Sequence, residues 1–180
     1  MKVAFLDRDG VINREVNYLH RVEDFKYTER CIDGLKNLIS LGFEIVVVTN
    51  QAGIARGYYT ESDYHELTNF YRNNLAKQGI ELLDVLYCPH HPDGTAERYR
   101  KKCDCRKPQP GMILRAAETF SISLEHSVLI GDKITDAQAG ERAGVGRIIL
   151  VESGHELEAN SCAHYETTEN LYEASRLLGQ

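Results

Sequence analysis

The sequence predicts an α/β fold, a Rossmann-like three-layer sandwich built on a mainly parallel sheet. Three observations predict it. Short apolar runs alternate along the chain with stretches of helical periodicity. The runs are continuously apolar rather than alternating, as in strands covered on both faces. Polar residues of a chemically useful kind follow directly after four of the runs, and in such sheets ligands bind outside the carboxyl ends of the strands.

Taken in order, Val3 to Leu6 is a short apolar run that ends at charged residues, the first strand. Cys31 to Leu41 is a helix, with Ile32, Leu35, Leu38 and Ile39 on one face and Gly42 as its stop. Phe43 to Val48 is the strongest strand pattern in the chain. Thr60 opens a long helix, with Asp63 three residues later giving a capping-box entry, and Gly79 ends it. Leu82 to Tyr87 is a third strand, and Met112 to Phe120 a helix. Ser127 to Ile130 is a fourth strand, Asp136 to Ala143 a helix and Arg147 to Val151 a fifth strand. His155 to Ala163 carries no pattern. His164 to Thr167 reads as an edge strand and Leu171 to Leu178 as a closing helix.

The totals bound the rest. A chain of 180 residues, 42% hydrophobic and 27% charged, suits one domain with a sizeable core. A net charge of −6 argues against a general nucleic-acid binder, which needs a basic face. No apolar run reaches membrane-spanning length and no signal-peptide pattern is present, so a cytoplasmic protein is expected. No insertion large enough for a cap domain interrupts the pattern, and a monomer is the default for such a chain.

The polar residues after the strands are Asp7 and Asp9, then Thr49, Asn50 and Gln51, then Cys88 and His90, then Asp132. The topology would gather them at one edge of the sheet. Two carboxylates two residues apart repel, and a divalent cation removes that cost. Oxygen ligands with bound waters suit magnesium, and Asp132 would add a third carboxylate from across the site.

At this point the chain resembles the haloacid dehalogenase superfamily of phosphotransferases. Four motifs occur in the expected order: Asp7-x-Asp9-Gly10, Thr49 after a strand, Lys107 before a helix, and Gly131-Asp132-x-x-x-Asp136. The resemblance implies Asp7 as nucleophile, forming an aspartyl-phosphate, and Asp9 as acid and then base. It implies Mg2+ held by Asp7, Asp132 and the Asp9 backbone carbonyl, with Asp136 steadying metal-bound water or Lys107. Thr49 and Lys107 would donate to the transferring phosphoryl oxygens.

The segment from Cys88 to Pro110 lacks periodicity and has little apolar content to bury. Cys88, His90, Cys103 and Cys105 supply four soft ligands, enough for a closed tetrahedral Zn2+ site that would hold the loop and place Arg106 and Lys107 beside the phosphate. His91 is a rival ligand, but it would face away if His90 faces the metal. Cys31 reads as core and Cys162 as incidental.

With Tyr87 to Pro92, Cys103 to Pro108 and Thr49 to Gly57, the resemblance narrows to the D-glycero-D-manno-heptose 1,7-bisphosphate 7-phosphatases. The related histidinol-phosphate phosphatases share the metal loop and remain an alternative, as does, outside catalysis, a zinc-stabilised binding module. The narrower resemblance implies a phosphorylated-sugar substrate that loses its C7 phosphate. Arg106 would read the distal C1 phosphate, Asn50 and Gln51 sugar or phosphate oxygens, and the loop with Glu15, Asn17 and Tyr18 the sugar. The product would feed a nucleotide-activated heptose for the cell envelope.

Overall fold

A computed structural model describes residues 1–157 and 164–180 of the chain. The sheet comprises β1 (Val3–Leu6), β2 (Glu44–Asn50), β3 (Asp84–Cys88), β4 (Val128–Gly131), β5 (Arg147–Val151) and β6 (Glu166–Thr168). Their spatial order is β3-β2-β1-β4-β5-β6, and every neighbouring pair is parallel. The helices are α1 (Cys31–Ser40), α2 (Ala52–Ala55), α3 (Glu61–Ala76), α4 (Gly111–Phe120), α5 (Ile134–Ala143) and α6 (Leu171–Leu177).

The pleat sorts the strand residues into two cores, because successive side chains point to opposite faces. Ala4, Leu6, Ile45, Val47, Ile130, Ile149 and Val151 face α1, α3 and α6. Val3, Phe5, Val46, Val48 and Leu129 face α4 and α5. All four residues of β1 are fully buried, and shielding each large one contributes about 1.5–3 kcal/mol. This explains why the strands read as unbroken apolar runs.

Local signals account for the helix boundaries. Thr60 and Asp63 form the reciprocal cap of α3, the Asp63 amide donating to Thr60 Oγ1 at 3.2 Å and the Thr60 amide to Asp63 Oδ2 at 2.7 Å. Gly79 follows α3 at φ +77°, a conformation that costs glycine little. One expectation needs correcting. The buried face of α1 is Cys31, Gly34, Leu35 and Leu38, whereas Ile39 is 38% exposed. Helix α6 sets that face, since a Cβ at Gly34 would meet the Tyr172 amide nitrogen at 3.0 Å.

The chain turns back at β1. From there β2 and β3 build outward on one side, and β4, β5 and β6 on the other. The crevice at such a reversal is where doubly wound sheets bind ligands. The Asp7 amide donates to the Ile130 carbonyl at 3.0 Å, so the ends of β1 and β4 stand at matched height. Among the described residues, loops and the four-residue α2 border this edge of the sheet. No helix among them is long and apolar enough to cross a membrane. Cys162 lies outside the described residues.

Candidate active site

Asp7 leaves β1 and Asp132 leaves the adjacent β4, while Asp136 sits in the first turn of α5. These three carboxylates each offer an oxygen within 4.8 Å of the others. All are buried, Asp132 completely. Asp136 Oδ2 accepts from the backbone amides of Asp132 and Lys133 at 3.1 and 3.0 Å, so it also caps α5. Lys107 is the cation among them. Its Nζ lies 3.0 Å from Asp7 Oδ1 and 2.7 Å from Asp136 Oδ1, and donates to the Val48 carbonyl at 2.7 Å.

One ammonium does not neutralise three buried carboxylates. Burial pushes Asp7 up to about 6, partly opposed by Lys107, with Asp136 and Asp9 pushing it further up. Burial followed by the charge of Asp7 pushes Asp132 up to about 9. Among the described residues, the buried Asp132 Oδ1 has no hydrogen-bond partner. A cradle of glycines makes the close approach possible: a Cβ on Gly10 or Gly154 would fall 2.2 or 2.0 Å from Asp132 Oδ2. An orphaned carboxylate oxygen among excess negative charge is the donor set a hard divalent cation takes, so these residues fit Mg2+.

Asp9 stands apart from that cluster. Arg8, 1% exposed, places Nη2 at 2.9 Å from both Asp9 oxygens. Asn13 Nδ2 donates to Oδ1 at 3.0 Å and Gln51 Nε2 to Oδ2 at 3.2 Å. Burial would raise its pKa, but Arg8 and these donors outweigh burial and hold it below the ordinary range. Two carboxylates in one loop therefore differ in environment, Asp7 in the multi-carboxylate cluster and Asp9 in a cradle of donors.

A cleft of about 410 Å³ opens over these groups. Asp7, Asp9, Lys107 and Asp136 line it, together with Glu15, Asn17 and Tyr18. Asn17 and Tyr18 hold φ of 47° and 59°, a left-handed pair that swings their loop over the cleft. Arg56, His91 and Arg106 also line it, with Arg56 Nη2 3.5 Å from His91 Nε2.

The structure thus brings Asp7, Asp9, Glu15, Asn17, Tyr18, Asn50, Gln51, Arg106, Lys107 and Asp136 to one cleft. Thr49 and Asp132 lie fully buried just beneath it. The amides expected to meet sugar or phosphate oxygens are engaged within the protein. Asn50 clamps the Lys107 backbone, accepting from its amide at 3.0 Å and donating to its carbonyl at 3.1 Å. Gln51 is 2% exposed and donates to Asp9 and Thr49.

Arg8, Arg56, His91 and His155 were not singled out for the site by the sequence. His155 Nδ1 lies 2.6 Å from Asp132 Oδ2, and its Nε2 lies 4.0 Å from Glu15 Oε2. It follows β5, so the strand-end rule that finds Asp7 and Asp132 also points to it. Arg56 Nη2 lies 3.5 Å from His91 Nε2, and its buried Nε has no partner.

The cysteine loop converges as expected. Cys105 Sγ lies 3.0 Å from Cys88 Sγ, 3.4 Å from Cys103 Sγ and 3.4 Å from His90 Nδ1. Cys88 and Cys103 lie 3.5 Å apart, with no disulfide among them. A tetrahedral site with bonds of about 2.0–2.3 Å has edges slightly longer than these, and the four donors leave no open position. His91 points instead into the cleft, where its Nδ1 accepts from the Asp93 amide at 3.1 Å.

Residues 104–174 match the model of the HAD-hydrolase-like family. The D-glycero-alpha-D-manno-heptose-1,7-bisphosphate 7-phosphatase of Photorhabdus laumondii is 53% identical over 178 residues, covering 99% of this chain and 97% of that protein. The beta-anomer phosphatase of the same organism is 47% identical, covering 84% of this chain and 80% of that protein. The solved D,D-heptose 1,7-bisphosphate phosphatase of B. bronchiseptica, complexed with magnesium and phosphate, superposes with a TM-score of 0.86 at 27% identity, over 100% of this chain and 99% of that one. A six-stranded parallel sheet, converging carboxylates at its switch point and identity over nearly the whole length agree, and the chain belongs to the heptose-1,7-bisphosphate 7-phosphatase family of haloacid dehalogenase-like hydrolases.

Proposed function

We propose that the protein is a magnesium-dependent phosphatase that removes the C7 phosphate of D-glycero-α-D-manno-heptose 1,7-bisphosphate. The observation that carries this reading is one cleft lined both by the nucleophile, lysine and carboxylates and by a second basic group, Arg56, His91 and Arg106. A second basic group beside the catalytic one suits a sugar that carries two phosphates. The α configuration is taken from the 53% identical relative, which this chain matches over almost its whole length.

Asp7 attacks phosphorus through a carboxylate oxygen, and the phosphorus–oxygen bond to C7 breaks as the aspartyl-phosphate forms. Asp9 is ionised in the free protein; it takes up a proton as the anionic substrate enters and passes that proton to the leaving oxygen. Asp9, now a carboxylate, accepts a proton from the water that cleaves the aspartyl-phosphate, which frees Asp7 and inorganic phosphate. Lys107 and the Thr49 hydroxyl donate to the equatorial phosphoryl oxygens. Mg2+, held by Asp7, Asp132 and the Asp9 carbonyl with Asp136 beside it, would offset the repulsion between carboxylate and phosphate. Glu15, Asn17 and Tyr18 contact the sugar, while Asn50 and Gln51 act by bracing Lys107 and Asp9. Cys88, His90, Cys103 and Cys105 would hold a structural Zn2+, which would keep Arg106 and Lys107 in place.

The test is phosphate release from both anomers of the bisphosphate and from histidinol phosphate. The α anomer is expected to give the highest kcat/KM, with Asp7→Asn abolishing turnover. Preference for histidinol phosphate overturns the substrate, preference for the β anomer overturns the configuration, and an active Asp7→Asn variant overturns the chemistry.

A further inference from the structure

We propose that Tyr59 is a positioning residue for proton transfer, acting through the Gln51 amide to hold the Asp9 carboxylate in the orientation that serves the leaving oxygen. The inference rests on the reading of Asp9 as the group that protonates that oxygen.

The geometry is a relay of three side chains from three segments. Tyr59 Oη donates to Gln51 Oε1 at 2.5 Å. Gln51 Nε2 then donates to Asp9 Oδ2 at 3.2 Å and to Thr49 Oγ1 at 2.8 Å. With Oε1 held by the phenol, the amide can turn only its NH2 end toward Asp9. In the free protein, where Asp9 is ionised, the reverse orientation would set an amide oxygen against a carboxylate oxygen. The other donors to Asp9, Arg8 and Asn13, belong to its own loop. Gln51 arrives from the end of β2 and fixes the carboxylate against the sheet.

Tyr59 is itself held from three sides. It is 7% exposed. Its ring lies on Gly53, where a Cβ would fall 2.1 Å from Cε1. The other face stacks on His20 at 5.1 Å between centroids and 8° between planes. Burial lifts its phenol well above the ordinary range, so it remains a donor throughout the working pH range. The adjacent Tyr58 meets Tyr18 edge-on at 4.7 Å. Two aromatic pairs thus tie the turn carrying Tyr59 to the loop that borders the cleft. Among the described residues loops and short helices border the cleft, and this network of fixed contacts aims the proton donor.

The leaving group supplies the test. A sugar alkoxide needs a proton as it departs, whereas p-nitrophenolate leaves without one. The parameter kcat/KM covers steps up to departure of the leaving group, which excludes hydrolysis of the aspartyl-phosphate from the comparison. Tyr59→Phe removes one neutral hydrogen bond to a buried amide. It is expected to lower kcat/KM on the heptose bisphosphate about tenfold while changing that on p-nitrophenyl phosphate less than about twofold. Gln51→Met also frees Thr49, so it is expected to lower kcat/KM on both substrates but more on the heptose bisphosphate, and carries the test alone if Tyr59→Phe does not fold. Asp9→Asn serves as the reference. If it loses both substrates equally, the reading of Asp9 as acid fails. If it shows the contrast but Tyr59→Phe and Gln51→Met lose both substrates equally or neither, the positioning role alone is overturned.

Discussion

Replacing Arg106 with alanine should separate the two groups that line the cleft. Arg106 is half-buried, and the hydrogen bond its side chain makes among the described residues is a long one, from Nη1 to the His90 carbonyl at 3.4 Å. Beside it, Arg56 has a buried Nε without a partner. His91 is held below its ordinary range by burial, then by the charges of Arg106 and Arg56. The two guanidiniums are like charges in the free enzyme, and a phosphate dianion would reconcile them. Removing one cation should therefore leave thermal stability within about 1 kcal/mol of the parent, as for substitutions away from core contacts. A charge-assisted hydrogen bond to phosphate contributes about 1.5–3 kcal/mol, so kcat/KM for the 1,7-bisphosphate should fall about 10- to 150-fold. For heptose 7-phosphate, which lacks the distal group, it should change less than about twofold. Arg56→Ala should act in the same direction, and the double variant should lose less than the sum of the two if both guanidiniums grip one phosphate. Steady-state phosphate release on the two sugars reads all of this. Equal losses on both would refute the assignment of this basic group to the distal phosphate.

Other expectations follow from the metal sites and the buried charges. Gly154→Ala places a Cβ 2.0 Å from Asp132 Oδ2 and should weaken Mg2+ or Mn2+ binding about 10- to 100-fold by calorimetry. Metal-free protein should lose thermal stability as pH rises from 5 to 9, because Asp7 and Asp132 keep their protons to about 6 and 9 when folded but ionise near 4 when unfolded. Saturating Mg2+ should raise the melting temperature more at pH 9 than at pH 5, and a flat or inverted pH dependence would sink the charge-excess account. Purified protein should carry about one zinc per chain by elemental analysis, and its removal should expose the segment around Arg98–Lys102 to trypsin. Lys107→Met should destabilise the metal-free fold by about 3–5 kcal/mol in chemical denaturation, since it leaves Asp7 and Asp136 buried without their cation.

The architecture was legible because fully covered parallel strands write their burial directly into the sequence. The runs at Val3, Phe43, Leu82, Ser127 and Arg147 all fall within about two residues of observed strands. Ile39 was misplaced because apolar spacing does not show where a neighbouring helix comes closest; at α1 that point is Gly34, the smallest residue on the helix. The strand-end rule likewise located Asn50 and Gln51 at the cleft but said nothing of their amide partners, which depend on Lys107 and Tyr59 from distant segments. Arg56 and His91 were passed over for the second basic group because they lie on irregular chain, whose path no periodicity records. Short α2 was also missed, since four residues are too few to show a helical period.

The bond from the Asp7 amide to the Ile130 carbonyl locks the ends of two strands that are separated by more than a hundred residues of chain. Inserting a single residue into β4 would advance Asp132 by about 3.3 Å and turn its side chain to the opposite side of the sheet. A deletion would retract it by the same step. The length of that strand is thus as much a part of the reaction centre as the carboxylate at its tip, and loops elsewhere can lengthen or shorten where β4 cannot.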